Sequence, residues 1–270
     1  MKRIDEKRFF YKEYQDKHTK YCNRRLKTIE QIINEFPIIE ECIGFQFWLD
    51  DEIAKVINAK EDKLRILHEK NPRVTKQLVV GFSLYRRNFQ YLYSAFELAC
   101  TGLCEPAYNI LRTVHESILA LWYVTTHQDE SEEILEYMRN NNATKTKYNH
   151  NHFLQSLYSG DMEKAMKKVY SSLSIKAHSN IFGMDNTEQY DIKQIKDCFW
   201  SIRLQSFYNI VANIENLVQE PIIKEVILTH DVISFIERLK NEIGRVDKQI
   251  GNYFPNKNDI GKNFVLYKPP

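Results

Sequence analysis

Apolar residues recur three and four positions apart along nearly the whole chain, which is the spacing of an amphipathic α-helix. The pattern predicts eight helices, over about 3–34, 46–69, 73–101, 105–127, 129–142, 161–178, 190–218 and 221–249. The chain has only 8 glycines and 7 prolines, and this scarcity of turn-forming residues favours long helices. The sequence therefore predicts an all-α fold, a single multi-helix bundle of about seven to nine helices.

The predicted helices form a single all-helical domain over residues 1–250. Residues 1–70 supply N-terminal helices, 73–180 supply a core, and 190–249 supply C-terminal helices, while 251–270 is predicted to be an irregular tail. The helix that contains "AYNILRTVHESILALWYV" is apolar around most of its circumference, which is typical of the central helix of a bundle.

Charge is unevenly distributed near the N-terminus, although the net charge of the chain is only +2. Residues 1–27 contain ten basic and four acidic side chains, whereas residues 34–62 contain eight acidic side chains against Lys55 and Lys60. Two interpretations remain open. Either the two segments pack as neighbouring helices and neutralise each other, or the first is a basic arm that meets nucleic acid or an acidic partner.

No segment of the sequence predicts export or membrane insertion. Residues 1–20 alternate charged and aromatic side chains and lack the apolar run of a secretory signal. The most apolar stretch is interrupted by Arg112, His115 and Glu116, so no membrane-spanning helix is expected. The five cysteines are an odd number and are scattered, which indicates reduced thiols. We therefore expect a cytoplasmic protein with no membrane partner.

Polar side chains form lines on two otherwise apolar helices. Arg112 and Glu116 lie one turn apart beside the apolar face of the central helix. In "YSSLSIKAHSN", Tyr170, Ser174 and His178 follow at four-residue intervals and share one face. Because buried charges need partners, the two polar margins could face each other and hold a phosphate or place a general acid and base. An ion pair and core hydrogen bonds without chemistry are the structural alternative.

The same two segments resemble an all-helical family with an Arg-x-x-x-Glu helix and a Tyr-x-x-Leu-Ser-x-x-x-His helix. That family is similar in outline to HEPN-type and abortive-infection proteins, many of which cut RNA or serve in toxin–antitoxin and antiviral systems. The resemblance covers residues 77–180 and implies a HEPN-like core. The site residues that it implies are Arg112, Glu116, Tyr170, Ser174 and His178.

The chain departs from the HEPN ribonuclease pattern in one respect. Those enzymes carry an arginine, four to six residues and then a histidine on one helix, so that both side chains face the scissile phosphate. No arginine of this chain has a histidine at that spacing. An RNA-cleaving site would therefore have to combine Arg112 and His178 from different helices.

The sequence contains no motif for a bound cofactor or metal. The glycines form no phosphate-binding loop, and neither a His-Glu-x-x-His motif nor a paired Glu-x-x-His motif is present. His150 and His152 fall in the polar stretch 140–152, which is predicted to be a solvated loop, as is 179–191. "RRNFQYLYSAF" interleaves arginine with aromatic residues, as surfaces for single-stranded nucleic acid do. At helical spacing, however, these aromatic residues are better explained as core.

Two functions fit these residues. The first is a HEPN-like RNA-binding protein of a defence or toxin-type stress system that cleaves RNA without a metal. In it Arg112 would stabilise phosphate, His178 would be the acid or base, and Glu116 would orient one of them. The second is a non-catalytic helical adaptor or regulatory subunit, whose basic N-terminal helix or exposed apolar face binds a partner. RNA, a partner protein such as an antitoxin, and a second copy of the chain are the expected partners.

Overall fold

The computed structural model describes residues 2–139, 148–177 and 192–246. Within these ranges the chain forms eleven α-helices and a 3₁₀ turn, with no β-strand. The helices are α1 (Lys2–Glu35), α2 (Pro37–Ala59), α3 (Glu61–Lys70), α4 (Pro72–Cys100), α5 (Cys104–Thr126), α6 (Ser131–Arg139), α7 (His150–Leu157), α8 (Gly160–Ala177), α9 (Ile192–Leu217), α10 (Pro221–Ile227) and α11 (His230–Val246). The predicted all-α fold is confirmed.

The described ranges hold eleven helices where seven to nine were predicted, and the difference has three sources. Lys60 separates α2 from α3, and residues 228–229 separate α10 from α11. Neither break interrupts the apolar periodicity, so each pair reads as one helix in the sequence. The third source is α7, which begins inside the polar stretch 140–152 that was predicted to be a loop. Residues 140–147 of that stretch, the second predicted loop and the predicted tail lie outside the described residues.

Prolines and one glycine define several helix ends. Pro37, Pro72 and Pro221 occupy the first turns of α2, α4 and α10, where the missing N–H has no intrahelical partner to lose. Gly102 follows α4 with φ of 78° and donates its N–H to the carbonyl of Ala99 at 2.9 Å. This left-handed conformation favours glycine, and it lets α5 pack back against α4.

Helices α4, α5 and α9 form the centre of the bundle, each packing against the other two. Most of α5 is buried, which confirms the prediction of a central helix. Helix α9 is buried at every position from 201 to 217, so it is a second central helix. Helices α7 and α8 pack against α5 on another side, and this arrangement places α8 where the sequence analysis required it.

Buried amide side chains connect α9 to its neighbours. Asn88 donates to Asn209 at 3.1 Å, and Asn209 donates to Gln46 at 3.3 Å. Further along α9, Gln77 donates to Asn216 at 2.8 Å. All five side chains are at most 1% exposed. Hydrogen bonds between buried amides fix the register of packed helices, because any slide would leave buried polar atoms unpaired. We call these five residues the amide network.

The amide network makes Gly81 of α4 a position that no larger residue can fill. A Cβ atom there would lie within 3.0 Å of the Asn216 side-chain amide, which is buried and held by Gln77. We expect Gly81→Ala to lower the free energy of unfolding by about 1–3 kcal/mol, as overpacking does. Urea unfolding measures this loss. Gly44→Ala is the matched control, since a Cβ at Gly44 of α2 meets nothing within 4 Å and should stabilise the helix by about 0.5–1 kcal/mol.

The structure also shows the state of the cysteines and the length of the apolar helices within the described residues. No disulfide joins the five cysteines, all of which lie in the described ranges, and four of them are buried. Among these four, Cys100 and Cys104 lie in the core around α4 and α5. None of the helices in the part of the chain that the structure describes is long and apolar enough to cross a membrane.

Candidate functional site

Four of the five predicted site residues meet where α5 packs against α8. Arg112 and Glu116 project from α5, and the Arg112 Nε atom lies 3.7 Å from Glu116 Oε1. The Tyr170 hydroxyl of α8 donates to the same Glu116 oxygen at 2.8 Å. Ser174 lies one turn further along α8, close enough to Tyr170 to lower the pKa of its hydroxyl. The polar margins of the two helices therefore face each other as predicted. His178 lies outside the described residues.

The charged pair of this site is open to solvent while the phenol is held at its edge. The side chains of Arg112 and Glu116 are 33% and 39% exposed, so an anion can reach the guanidinium. Partial burial raises the pKa of Tyr170, and its hydrogen bond to Glu116 raises it further. Tyr170 is therefore a neutral hydrogen-bond donor at physiological pH.

The structure adds His150, which the sequence analysis assigned to a loop. Its ring stacks on Tyr170 with 3.7 Å between the ring centroids and an interplanar angle of 21°. Burial lowers the pKa of His150, and the nearby Glu116 carboxylate opposes that change. Its Nε2 atom is buried and has no hydrogen-bond partner among the described residues. We use the name α5–α8 site for Arg112, Glu116, Tyr170, Ser174 and His150.

The sequence around the start of α7 contains an N-cap residue and an apolar pair from which the helical position of His150 could have been predicted. Asn149 is the N-cap of α7, and its side chain accepts a hydrogen bond from the backbone N–H of His152 at 3.0 Å. Asparagine is a preferred N-cap residue, and the buried Phe153 and Leu154 follow it. An asparagine followed by this apolar pair favours a short helix over a solvated loop, so the loop prediction for this segment was wrong.

A second histidine, His115, lies beneath the site in the core. It is 1% exposed and its Nδ1 atom lies 3.3 Å from Gln205 Oε1, so Nδ1 carries the hydrogen. Burial and, to a smaller extent, the neighbouring His150 lower the pKa of His115 to about 3, while its hydrogen bond to Gln205 opposes them. Its ring centroid is 6.1 Å from that of Tyr170. His115 is thus a neutral packing residue that links the site to α9.

Acidic and aromatic side chains anchor the start of α7 on the far side of the site. The Tyr148 hydroxyl lies 2.7 Å from a carboxylate oxygen of Glu130 and 2.7 Å from one of Glu133. The His152 Nε2 atom lies 3.3 Å from the Tyr123 hydroxyl. Burial and the Glu130 carboxylate raise the pKa of Tyr123 to about 12. These contacts hold α7 against α5 and thereby fix the position of its first residue, His150.

The arrangement can bind and orient an anion. The half-exposed guanidinium offers paired N–H donors that match the oxygens of a phosphate. Glu116 holds the guanidinium, and Tyr170 in turn holds Glu116. Within the described ranges, no group of three or more His, Cys, Asp or Glu side chains is placed to hold a metal ion.

Comparisons with known proteins find one family. No curated protein matches the chain, and no solved structure matches it. The sequence model of DUF5677, a family of unknown function, matches residues 78–211. This segment contains all of α5, α7 and α8, and therefore every residue of the α5–α8 site. Residues 78–211 of the chain are thus similar to that family.

Proposed function

We propose that the chain is an RNA-binding protein that cleaves RNA at the α5–α8 site. The observation that carries the proposal is the joined set of Arg112, Glu116 and Tyr170, with a half-exposed guanidinium on one side and a stacked imidazole on the other. A phosphate can reach the guanidinium because about a third of the Arg112 side chain is exposed, at 33%. The resemblance to HEPN-type and abortive-infection proteins supports a HEPN-like core and a role in a defence or toxin-type stress system in the cytoplasm.

Cleavage proceeds by attack of a ribose 2′-oxygen on the adjacent phosphorus. A base takes the 2′-hydroxyl proton as the new O–P bond forms, the bond from phosphorus to the 5′-oxygen breaks, and an acid returns a proton to that oxygen. The products are a 2′,3′-cyclic phosphate and a 5′-hydroxyl, so the reaction needs no co-reactant. Arg112 binds the phosphate and stabilises the charge that develops on its oxygens.

The remaining residues have supporting roles in this proposal. Glu116 holds Arg112 and Tyr170 in place through its two contacts. His150 is a positioning residue that stacks on Tyr170. The acid–base role is assigned to His178, which follows the last residue of α8 in sequence. Imidazole suits that role because its ordinary pKa is close to neutrality.

The experiment is an RNA cleavage assay in the presence of EDTA. The wild type should release fragments with 2′,3′-cyclic phosphate ends from a labelled single-stranded RNA, and Arg112→Gln should slow this release about a hundredfold. Lys168→Gln removes an exposed cation of α8 and should leave the rate unchanged. His178→Gln should abolish cleavage, whereas His150→Gln should shift its pH profile. Equal cleavage by wild type and Arg112→Gln would mean that a contaminating nuclease is responsible.

The adaptor remains the second candidate, and the exposed apolar side chains favour it. Phe47 is 55% exposed, Val79 is 57% exposed and Ile175 is 68% exposed, which suits contact with a partner protein. In an adaptor the α5–α8 site is structural. No cleavage by the wild type, together with a lower melting temperature of His178→Ala, would favour this function.

A further inference from the structure

Helix α1 is basic, and most of its residues whose side chains the structure describes are exposed. Every residue from 15 to 23 is exposed, and Ile29 is a point where the helix packs on the core. Residues 15–27 contain Lys17, Lys20, Arg24, Arg25 and Lys27 against a single acidic residue, Asp16. A bundle does not need such a helix for its core, because exposed like charges repel each other and add nothing to packing.

Five carboxylates of the acidic segment, residues 34–62, make ion pairs with cations that lie outside α1. The pairs are Glu35 with Lys196, Glu41 with Arg238, Asp50 with Arg86, Glu52 with Lys55 and Asp62 with Arg65. These pairs connect the acidic segment to cations of α3, α4, α9 and α11 or, for Glu52 and Lys55, join two of its own residues. These five carboxylates are therefore paired with cations outside residues 1–27.

Exposed aromatic rings lie beside this basic helix. Arg25 of α1 donates to Glu97 of α4 at 2.8 Å, which docks α1 one turn from Tyr93. Tyr93 is 42% exposed, and its ring centroid is 6.5 Å from that of Phe89. Phe89 in turn packs against Phe47 of α2, whose side chain is 55% exposed. Tyr93 and Phe47, the two outer rings of this row of three, are therefore both exposed to solvent.

Helix α1 has an exposed ring of its own. Tyr21 is 40% exposed, and the Arg24 guanidinium carbon lies 5.9 Å from its ring centroid. Tyr21 precedes Arg25 by one turn, so the two residues share the face that approaches α4. We call Lys17, Lys20, Tyr21, Arg24, Phe47 and Tyr93 the α1–α4 surface.

We propose that the α1–α4 surface binds single-stranded RNA, with phosphates on Lys17, Lys20 and Arg24 and bases stacked on Tyr21, Tyr93 and Phe47. This inference names the substrate class for the proposed function and rests on it in that respect. Cations beside exposed rings are what a single strand requires, because its backbone is anionic and its bases present free faces. A second copy of the chain fits less well, since it would bring two sets of like charges together.

The test measures binding of a probe that the protein cannot cleave. A fluorescein-labelled 2′-O-methyl oligouridylate lacks the attacking hydroxyl, so fluorescence anisotropy reports binding separately from cleavage. The triple variant Lys17→Gln/Lys20→Gln/Arg24→Gln should bind at least tenfold more weakly. Its slope of log K against log salt should be about 2 units shallower, since each phosphate contact on a single strand contributes about 0.7.

Matched controls separate the surface from net charge. Lys63→Gln/Arg65→Gln/Lys70→Gln removes three exposed cations from α3 and should leave binding within about twofold of the wild type. Tyr93→Ala should weaken binding about fivefold or more with the salt slope unchanged, because stacking carries no charge. Tyr91→Ala is its control, since Tyr91 is 38% exposed on the same helix but two residues away and so on another face.

The outcomes keep this inference distinct from the cleavage proposal. A wild type that binds the probe through these residues but cuts no RNA supports the surface and refutes cleavage. Equal binding by the wild type and the triple variant, with cleavage intact, overturns the surface alone. If polyglutamate binds the wild type as tightly as the RNA probe does, and the triple variant loses that binding, the proposed ligand of this surface would be an acidic protein and not RNA. A dimer in sedimentation that the three changes abolish would overturn it in favour of a second copy.

Discussion

Acidification from pH 6.5 to pH 4.5 is expected to destabilise the fold by about 2 kcal/mol through His115 alone, since the loss approaches about 1.4 kcal/mol per pH unit once the pH is well below 6.5. The side chain is 1% exposed, and burial lowers its pKa to about 3. An unfolded chain exposes the same imidazole with its ordinary pKa of about 6.5. Below pH 6.5 the unfolded state therefore binds a proton that the folded state does not, and this difference favours unfolding as the pH falls.

His150 acts in the same direction, because burial lowers its pKa as well. The measurement is urea unfolding at half-unit pH steps from 7.5 to 4.5, compared between the wild type and His115→Gln. The variant should lose the part of the pH dependence that His115 contributes, about 2 kcal/mol between pH 6.5 and pH 4.5, and keep the part that His150 contributes. The same change at His230, whose side chain is 85% exposed, should leave that dependence in place. A wild-type profile that is flat between pH 6.5 and pH 4.5 would show that His115 is accessible to protons in the folded state.

Most of the α5–α8 site could be predicted from the sequence because its residues are spaced regularly within two helices. Polar residues at four-residue spacing on two apolar helices must share faces, and a buried or half-buried charge requires a partner. The contacts of Glu116 with Arg112 and Tyr170 realise that expectation. The sequence analysis did not place His150 on a helix because α7 is only eight residues long. So short a helix shows little periodicity, and its N-cap residue, Asn149, is the stronger signal.

The amide network could not be predicted in the same way. Gln205, Asn209, Asn213 and Asn216 recur on one helix at spacings of four, four and three, which shows a shared face but not its partners. Gln46 and Asn88, which complete the central contacts, are 163 and 121 residues away in sequence from Asn209. Which side chains meet over such separations depends on how the helices pack, and a single sequence does not state that.

The amide face of α9 and the α5–α8 site are joined through His115. Gln205 lies one turn before Asn209 on α9, and its Oε1 atom lies 3.3 Å from His115 Nδ1. The His115 ring in turn lies near those of Tyr170 and His150. A change in the packing of α9 should therefore reach the site through one buried imidazole. Variants of the amide network consequently need a stability measurement before any effect on RNA cleavage is interpreted.

Asn209→Leu is expected to lower the free energy of unfolding by about 4 kcal/mol, because it removes the partner of two buried amides. Asn209 accepts from Asn88 and donates to Gln46. The other amide atoms of those two residues, Asn88 Oδ1 and Gln46 Nε2, have no hydrogen-bond partner among the described residues. The substitution therefore leaves two buried amide groups without any such partner in the described ranges. Each costs about 1–3 kcal/mol.

Asn213→Leu is the control that separates hydrogen bonding from volume. Asn213 lies one turn further along α9 and is also 0% exposed, but neither of its amide atoms has a hydrogen-bond partner in the described part of the chain. Replacing an unsatisfied amide by an apolar side chain removes a desolvation cost, so this variant should be near neutral or more stable than the wild type. Urea unfolding of both variants at pH 7.5 decides the matter. Equal losses at the two positions would show that the added volume of leucine, and not the lost hydrogen bonds, determines the stability of α9.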